Sequence, residues 1–215
     1  MKERFKIDPQ RPERGLIARA VGIVREGGVM GYPTETVYGL GADPFDRGAV
    51  NRIFRIKGRD PGKPISLLIP DVDTLEDIVQ EVPALGRELM DRFWPGPLTL
   101  VLKASPHLPE ELLSGGDSIA VRISSHPIAA ALLRKLGGPL TATSANRSDQ
   151  APCRSAAEVA RIFGDELDLV VDGGPSRTDR PSSIVDVSSG HTVLLREGAV
   201  AAEEMEQVVG SIGRI

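Results

Sequence analysis

Short apolar runs alternate with segments of helical period along the whole chain, and this alternation limits the possible folds more than any other feature. Leu16, Ile17, Ala20, Val21 and Val24 recur at the spacing of one helical face. The Gly27-Gly28 pair then stops that helix before the apolar stretch Val29 to Tyr32. A loop from Pro33 to Gly41 follows, then a second helix marked by Val50, Ile53 and Phe54, with Lys57 at its C-terminal end. Further strands are predicted at 65–69, 98–102, 119–123, 140–143, 169–171, 183–187 and 193–195, and helices at 85–93, 127–136 and 156–163. No composition break, charge block or long linker interrupts the series, which predicts a single α/β domain over 1–215 with about seven strands. Residues 201–215 read as a short amphipathic tail helix, and the Pro-, Ser- and Gly-rich stretch 103–116 as a mobile insertion.

At 215 residues the chain can bury a sizeable core. A formal net charge of -4 and only 4% aromatic residues argue against a protein that wraps nucleic acid or stacks bases along a strand. No apolar run approaches the ~20 residues of a membrane span, and Met1 to Asp8 is too charged for a signal peptide, so a cytoplasmic protein is expected. The single cysteine, Cys153, excludes internal disulfides and Cys-rich zinc sites and reads as a space-filling residue. His107, His126 and His191 lack partners at metal-ligand spacing and read as structural or exposed.

Against that acidic background, Arg52 to Lys63 carries five basic residues and one acid, ending in Lys57-Gly58-Arg59-Asp60-Pro61-Gly62-Lys63-Pro64. A polyphosphate needs several cations converging from different directions, which a Gly- and Pro-rich loop can present; a solvated helix end is the alternative. The P-loop pattern is absent, and Gly39-Leu40-Gly41 lacks the third glycine of a dinucleotide fingerprint. Pro33 to Gly41 sits at a strand end, where open α/β sheets place ligands, and its threonines either line a pocket or satisfy a turn. Thr141-Ala142-Thr143-Ser144-Ala145-Asn146 is more polar than a buried strand tolerates without partners, unless Ser144 or Asn146 caps a helix. Arg122, inside an apolar strand, calls for a carboxylate, either a ligand's or an internal acid's. Asp172-Gly173-Gly174-Pro175 is a tight turn, and Ser182 and Arg196 add a hydroxyl and a cation at further strand ends.

Taken in order, PTETVYGLG, KGRDPGKP, FWPGPLTLVL, AVRISSHP, TSAN, DGG, SSIVD and LLREG resemble the YrdC-like family of threonylcarbamoyl-AMP synthases over about residues 12–200. The resemblance implies a single twisted, open mixed sheet with flanking helices and a concave basic cavity. There ATP, L-threonine and bicarbonate become threonylcarbamoyl-AMP and pyrophosphate, which partner proteins use to modify tRNA. It implies ATP contacts at Lys57, Arg59, Lys63, Ser118, Ser144, Asn146 and Arg196, with Lys57 and Arg59 in the catalytic positions. Threonine contacts fall on Thr36, Arg122, Ser182 and the backbone near Ala142. Mg2+ is expected with ATP, held by phosphate oxygens, with no protein metal site. Some long members have a histidine where Leu68 stands, so a threonine-side contact is absent or replaced here. The length resembles the short form, without an extra C-terminal domain. A double-stranded RNA or nucleotide-binding module without synthase activity, making weak tRNA contacts, is the alternative, and a carbamoyltransferase-type enzyme does not fit the length.

Overall fold

The computed structural model describes residues 2–60 and 62–214. In chain order the strands are β1 (Glu3–Lys6), β2 (Met30–Tyr32), β3 (Gly39–Gly41), β4 (Leu67–Leu68), β5 (Leu98–Lys103), β6 (Ser118–Arg122), β7 (Leu140–Thr141), β8 (Thr143–Ser144), β9 (Leu169–Asp172), β10 (Ser183–Asp186), β11 (Val193–Arg196) and β12 (Gly213–Arg214). The helices are α1 (Arg14–Arg25), α2 (Arg47–Lys57), α3 (Leu75–Ile78), α4 (Ala84–Phe93), α5 (Glu110–Leu113), α6 (Pro127–Leu136), α7 (Ala156–Phe163) and α8 (Ala202–Val209).

The α/β class and the mixed pairing agree with the sequence reading, but the strands divide between two sheets instead of forming one. Their orders are β1-β9-β2-β3-β8 and β12-β11-β10-β5-β6-β4-β7. The division follows from residues 140–144, predicted as part of one strand. Leu140–Thr141 pairs with β4 and Thr143–Ser144 pairs with β3, so the chain leaves one sheet and enters the other across Ala142. The hydroxyl of Thr141 secures the crossing from inside, accepting the Ala42 N–H at 2.8 Å and donating to the Leu40 carbonyl at 3.3 Å.

The core falls into two apolar clusters, each drawing on strands of both sheets. Ile17, Val21 and Val24 of α1 and Ile128, Leu132 and Leu133 of α6 pack with Phe5, Leu169 and Val171 over the five-stranded sheet. Leu98, Leu100, Leu102, Ile119 and Val121 form the larger core with apolar residues of α2, α4, α7 and α8. Fully burying each such Leu or Ile is worth about 1.5 to 3 kcal/mol. Asp46 caps α2 by accepting the Ala49 N–H at 3.1 Å, and left-handed Gly58 (φ 59°) ends it immediately after Lys57. The basic loop therefore leaves the helix at a sharp, fixed angle.

Three expectations change. Gly39 to Gly41, read as loop, forms β3 antiparallel to β2, with glycines leaving room for the Tyr32 ring. Residues 103–116 are packed down, since Leu108 and Leu112 are buried and the short α5 lies among them. The tail does form α8, burying Ala202 and Met205, but then adds β12 beside β11.

Candidate active site

Side-chain alternation in β5, β6 and β10 builds the floor of a cavity of about 330 Å3 between the two sheets. Leu98, Leu100 and Leu102 of β5 point into the core, which leaves Thr99 and Val101 for the cavity. In β6, Ile119 and Val121 do the same, leaving Ala120 and Arg122. Registers Ile184↔Thr99 and Val101↔Ala120 set these residues side by side. Tyr32, Thr34, Thr36 and Ala142 to Ser144 close the cavity from the five-stranded side, and Arg59, Lys63, Pro181, Ser182 and Arg196 stand around it.

Eight of the residues expected at the site therefore meet in one place: Thr36, Arg59, Lys63, Arg122, Ala142, Ser144, Ser182 and Arg196. Four of them are cations, drawn from a loop and two strands, and no carboxylate lies among the described lining residues. Arg59 is braced by its own loop, donating to the carbonyls of Lys63 at 3.1 Å and Pro64 at 2.9 Å. Arg196 donates through Nε at 3.1 Å and Nη2 at 2.8 Å to the Ser182 carbonyl, and Ser182 Oγ lies 2.8 Å from Thr99 Oγ1. Burial holds both guanidinium groups below the usual arginine range, and at Arg196 the charge of Arg122 adds to it.

Three expected residues lie off the cavity. Lys57 is buried behind the wall. Its Nζ donates to the Ser144 carbonyl, to the Asn146 carbonyl at 2.9 Å and to Asn146 Oδ1 at 3.0 Å. Burial, then the charge of Arg59, pulls its pKa down to about 7, while the three oxygens favour the ammonium form. Asn146 sits beside it, with Oδ1 also accepting from Ser144 Oγ at 2.6 Å. Ser118 shares the face of Ala120 and Arg122 but lies opposite Lys103, two residues beyond Ala120 and so about 7 Å along the strand. Ser144 and Asn146 cap no helix; the next helix, α7, is capped by Ser155, which accepts the Glu158 N–H at 3.2 Å. Leu68 packs in the core over the five-stranded sheet, and what β4 turns toward the cavity is Leu67, beside Ser66.

Arg122 has both relations that the sequence left open. It lines the cavity, and its Nη1 also donates to Glu35 Oε1, while Ser124 Oγ donates to the other carboxylate oxygen. Glu35 had no signal of its own in the sequence beyond its place in PTETVYGLG. Among the described residues no cluster of three or more His, Cys, Asp or Glu side chains is placed to hold a metal ion.

The sequence model of Sua5/YciO/YrdC proteins, described as "Telomere recombination", matches residues 22–198. The chain belongs to the Sua5/YciO/YrdC family. Within that family it is 41% identical over 203 residues to a threonylcarbamoyl-AMP synthase of Pyrococcus abyssi, covering 94% of this chain and 60% of that protein. It is 37% identical to a putative threonylcarbamoyl-AMP synthase of Mycobacterium tuberculosis, covering 94% of this chain and 93% of that one. The crystal structure of P. abyssi Sua5 complexed with L-threonine superposes with a TM-score of 0.95 at 40% identity, covering 99% of this chain and 62% of that one. The chain thus spans about three-fifths of the length of the P. abyssi protein.

Proposed function

We propose that this Sua5/YciO/YrdC protein is an L-threonylcarbamoyladenylate synthase, a nucleotidyltransferase acting on ATP, L-threonine and bicarbonate. The convergence of Arg59, Lys63, Arg122 and Arg196 with threonine and serine hydroxyls, with no carboxylate among the described lining residues, carries this reading. Such a lining suits a polyphosphate and an amino-acid carboxylate together. The resemblance of the Pyrococcus and Mycobacterium proteins supports the same assignment.

The reaction balances without an oxidant. The threonine amine combines with bicarbonate to give a carbamate and water. A carbamate oxygen then bonds to the α-phosphorus of ATP as the bond from that phosphorus to the bridging oxygen breaks and pyrophosphate leaves. The nucleophile is already an anion, so the chain's task is alignment and charge stabilisation. Arg59, Lys63 and Arg196 hold the phosphates, Ser144 orients them, and Arg122, Thr36 and Ser182 hold threonine. Lys57 and Asn146 act through Ser144 by fixing its segment. Mg2+ entering with ATP would supply further neutralisation of the triphosphate, with no residue of this chain assigned to hold it. The product passes to tRNA-modifying partners in the cytoplasm.

The test is pyrophosphate release from ATP with threonine and bicarbonate each added or omitted. Release that requires both supports the assignment. Strong, salt-sensitive RNA binding without ATP turnover would replace it with the RNA-binding reading.

A further inference from the structure

The four cavity cations are not equivalent. Among the described residues Arg59, Lys63 and Arg196 form no ion pair, Asp60 acting on Arg59 only as a nearby charge, whereas Arg122 is ion-paired with Glu35. Both members of the pair are sheltered, with 8% of the Arg122 side chain and 15% of the Glu35 side chain exposed, so solvent screens the pair only weakly. Glu35 is fixed at both oxygens, by Arg122 Nη1 and by Ser124 Oγ, and Ser124 Oγ in turn accepts the His126 N–H at 3.2 Å. Its loop is fixed as well: Thr34 Oγ1 donates to the Val37 carbonyl at 2.7 Å and accepts the Thr36 N–H at 3.2 Å.

Glu35 does not line the cavity that Arg122 lines. It lies on a neighbouring one of about 470 Å3, with His126 and Arg177, so the ion pair forms the partition between the two. Burial holds the His126 pKa below the usual value, while Arg177 stands on that side as a further cation. The guanidinium has five N–H donors, and the recorded bond to Glu35 uses Nη1. Arg122 can therefore offer directional donors to the cavity while Glu35 offsets part of its charge from behind, the remainder still being felt at Arg196.

We propose that Glu35 is a specificity-determining residue that lowers the positive charge at the Arg122 end of the cavity, so that it takes a zwitterionic amino acid in preference to a second phosphate. This rests on the assignment of Arg122 to the threonine carboxylate. Arg59, Lys63 and Arg196 hold an anion of high charge, and a fourth cation without an ion-pair partner would extend that site over the floor of the cavity. Phosphate groups would then occupy the position that an amino acid of zero net charge has to enter. With Glu35 in place, Coulomb attraction for phosphate is stronger at the other end, and the forked donors of Arg122 select a planar carboxylate.

The experiment measures inorganic phosphate binding by calorimetry, and its effect on threonine binding, in the full chain and in Glu35→Gln, which keeps the side-chain shape and removes the charge. Glu35→Gln should gain a phosphate equivalent that is lost again in the Glu35→Gln, Arg122→Gln double variant. Phosphate should also weaken threonine binding about ten-fold in Glu35→Gln, the scale of one charge-assisted contact, and barely affect the unmodified protein. Unchanged phosphate stoichiometry in a folded Glu35→Gln variant would overturn the proposal. So would one-for-one displacement of threonine by phosphate in the unmodified protein, a result that needs no variant to fold. If the unmodified protein binds no threonine while Glu35→Gln still gains the phosphate, the electrostatic role stands and the threonine assignment of Arg122 fails.

Discussion

Lys57 Nζ ends among oxygens of the Ser144 to Asn146 segment, while the Arg59 guanidinium, two residues on, reaches the cavity. The two should respond differently to substitution. Lys57→Met leaves buried carbonyls without a donor and should cost roughly 1 to 3 kcal/mol of stability, with activity falling as Ser144 shifts. Arg59→Ala should leave the melting temperature nearly unchanged and weaken ATP binding by roughly 1 to 3 kcal/mol. Calorimetry with ATP and thermal melts on both variants separate the roles. Lys57 also predicts a pH slope: its folded pKa of about 7 lies below the ordinary lysine value, so the unfolded chain binds the proton more tightly. Stability from this residue should rise from about pH 7 toward the usual lysine range, and Lys57→Met should remove that rise. Charge excess in an acidic chain and polarity at strand ends marked most of the candidate site residues in the sequence, and the family resemblance added Ser118 and the roles. Which of them line the cavity was not legible, because Lys57, Asn146 and Ser118 differ from their neighbours only in direction and reach. Glu35 was hidden for a different reason: an acid near a cation site looks unhelpful until its partner 87 residues away is known.

At the scale of elements, the strands and helices with strong period were readable, and the failures fell on short pieces. β4, β7, β8 and β12 have two residues each, too few to show a period of two. β1 reads Glu-Arg-Phe-Lys, with Phe5 alone buried, and is a strand because β9 offers it a parallel edge. The connection after β11 shows how closely such elements depend on one another. A Cβ at Gly198 would stand 2.3 Å from the Pro181 carbonyl oxygen and 2.6 Å from the Ser182 carbonyl. The neighbouring Ser183 hydroxyl accepts the N–H groups of Gly198 at 2.9 Å and Val200 at 3.0 Å, so this turn has little room to retreat. Gly198→Ala should therefore cost about 1 to 3 kcal/mol by overpacking. It should also push Ser182 and Arg196 from the cavity, with a loss of threonine and ATP binding larger than the same stability loss produced elsewhere in the core. Matched denaturation and binding measurements check this.

Across the whole molecule, the sequence conveyed the α/β class but not the division into two sheets, because pairing partners are chosen by tertiary packing and leave no local pattern. The five-stranded sheet is tied to α2 by one acid. Asp168 accepts from Arg52 Nη1 at 2.5 Å, from the Val29 N–H at 2.9 Å and from Lys2 Nζ at 2.8 Å. Burial alone would raise its pKa, but these donors outweigh burial and hold it at about 2. A depressed carboxylate stabilises the fold above its unfolded pKa and loses that contribution as pH falls through the folded value. Asp168→Asn should thus cost about 2 kcal/mol at neutral pH, and the difference from the unmodified protein should shrink between about pH 4 and pH 2. Urea unfolding across that range measures it; a difference independent of pH would mean the carboxylate's charge is not what matters. The crossing at Ala142 bears on chain length. With two paired residues on either side of it, 140–144 works as a ruler with no slack: one residue inserted or removed there would turn a side chain to the wrong face in one sheet or the other. Surface turns elsewhere can grow or shrink among relatives, whereas the spacing between Leu140 and Ser144 should be a fixed length on which both sheets depend.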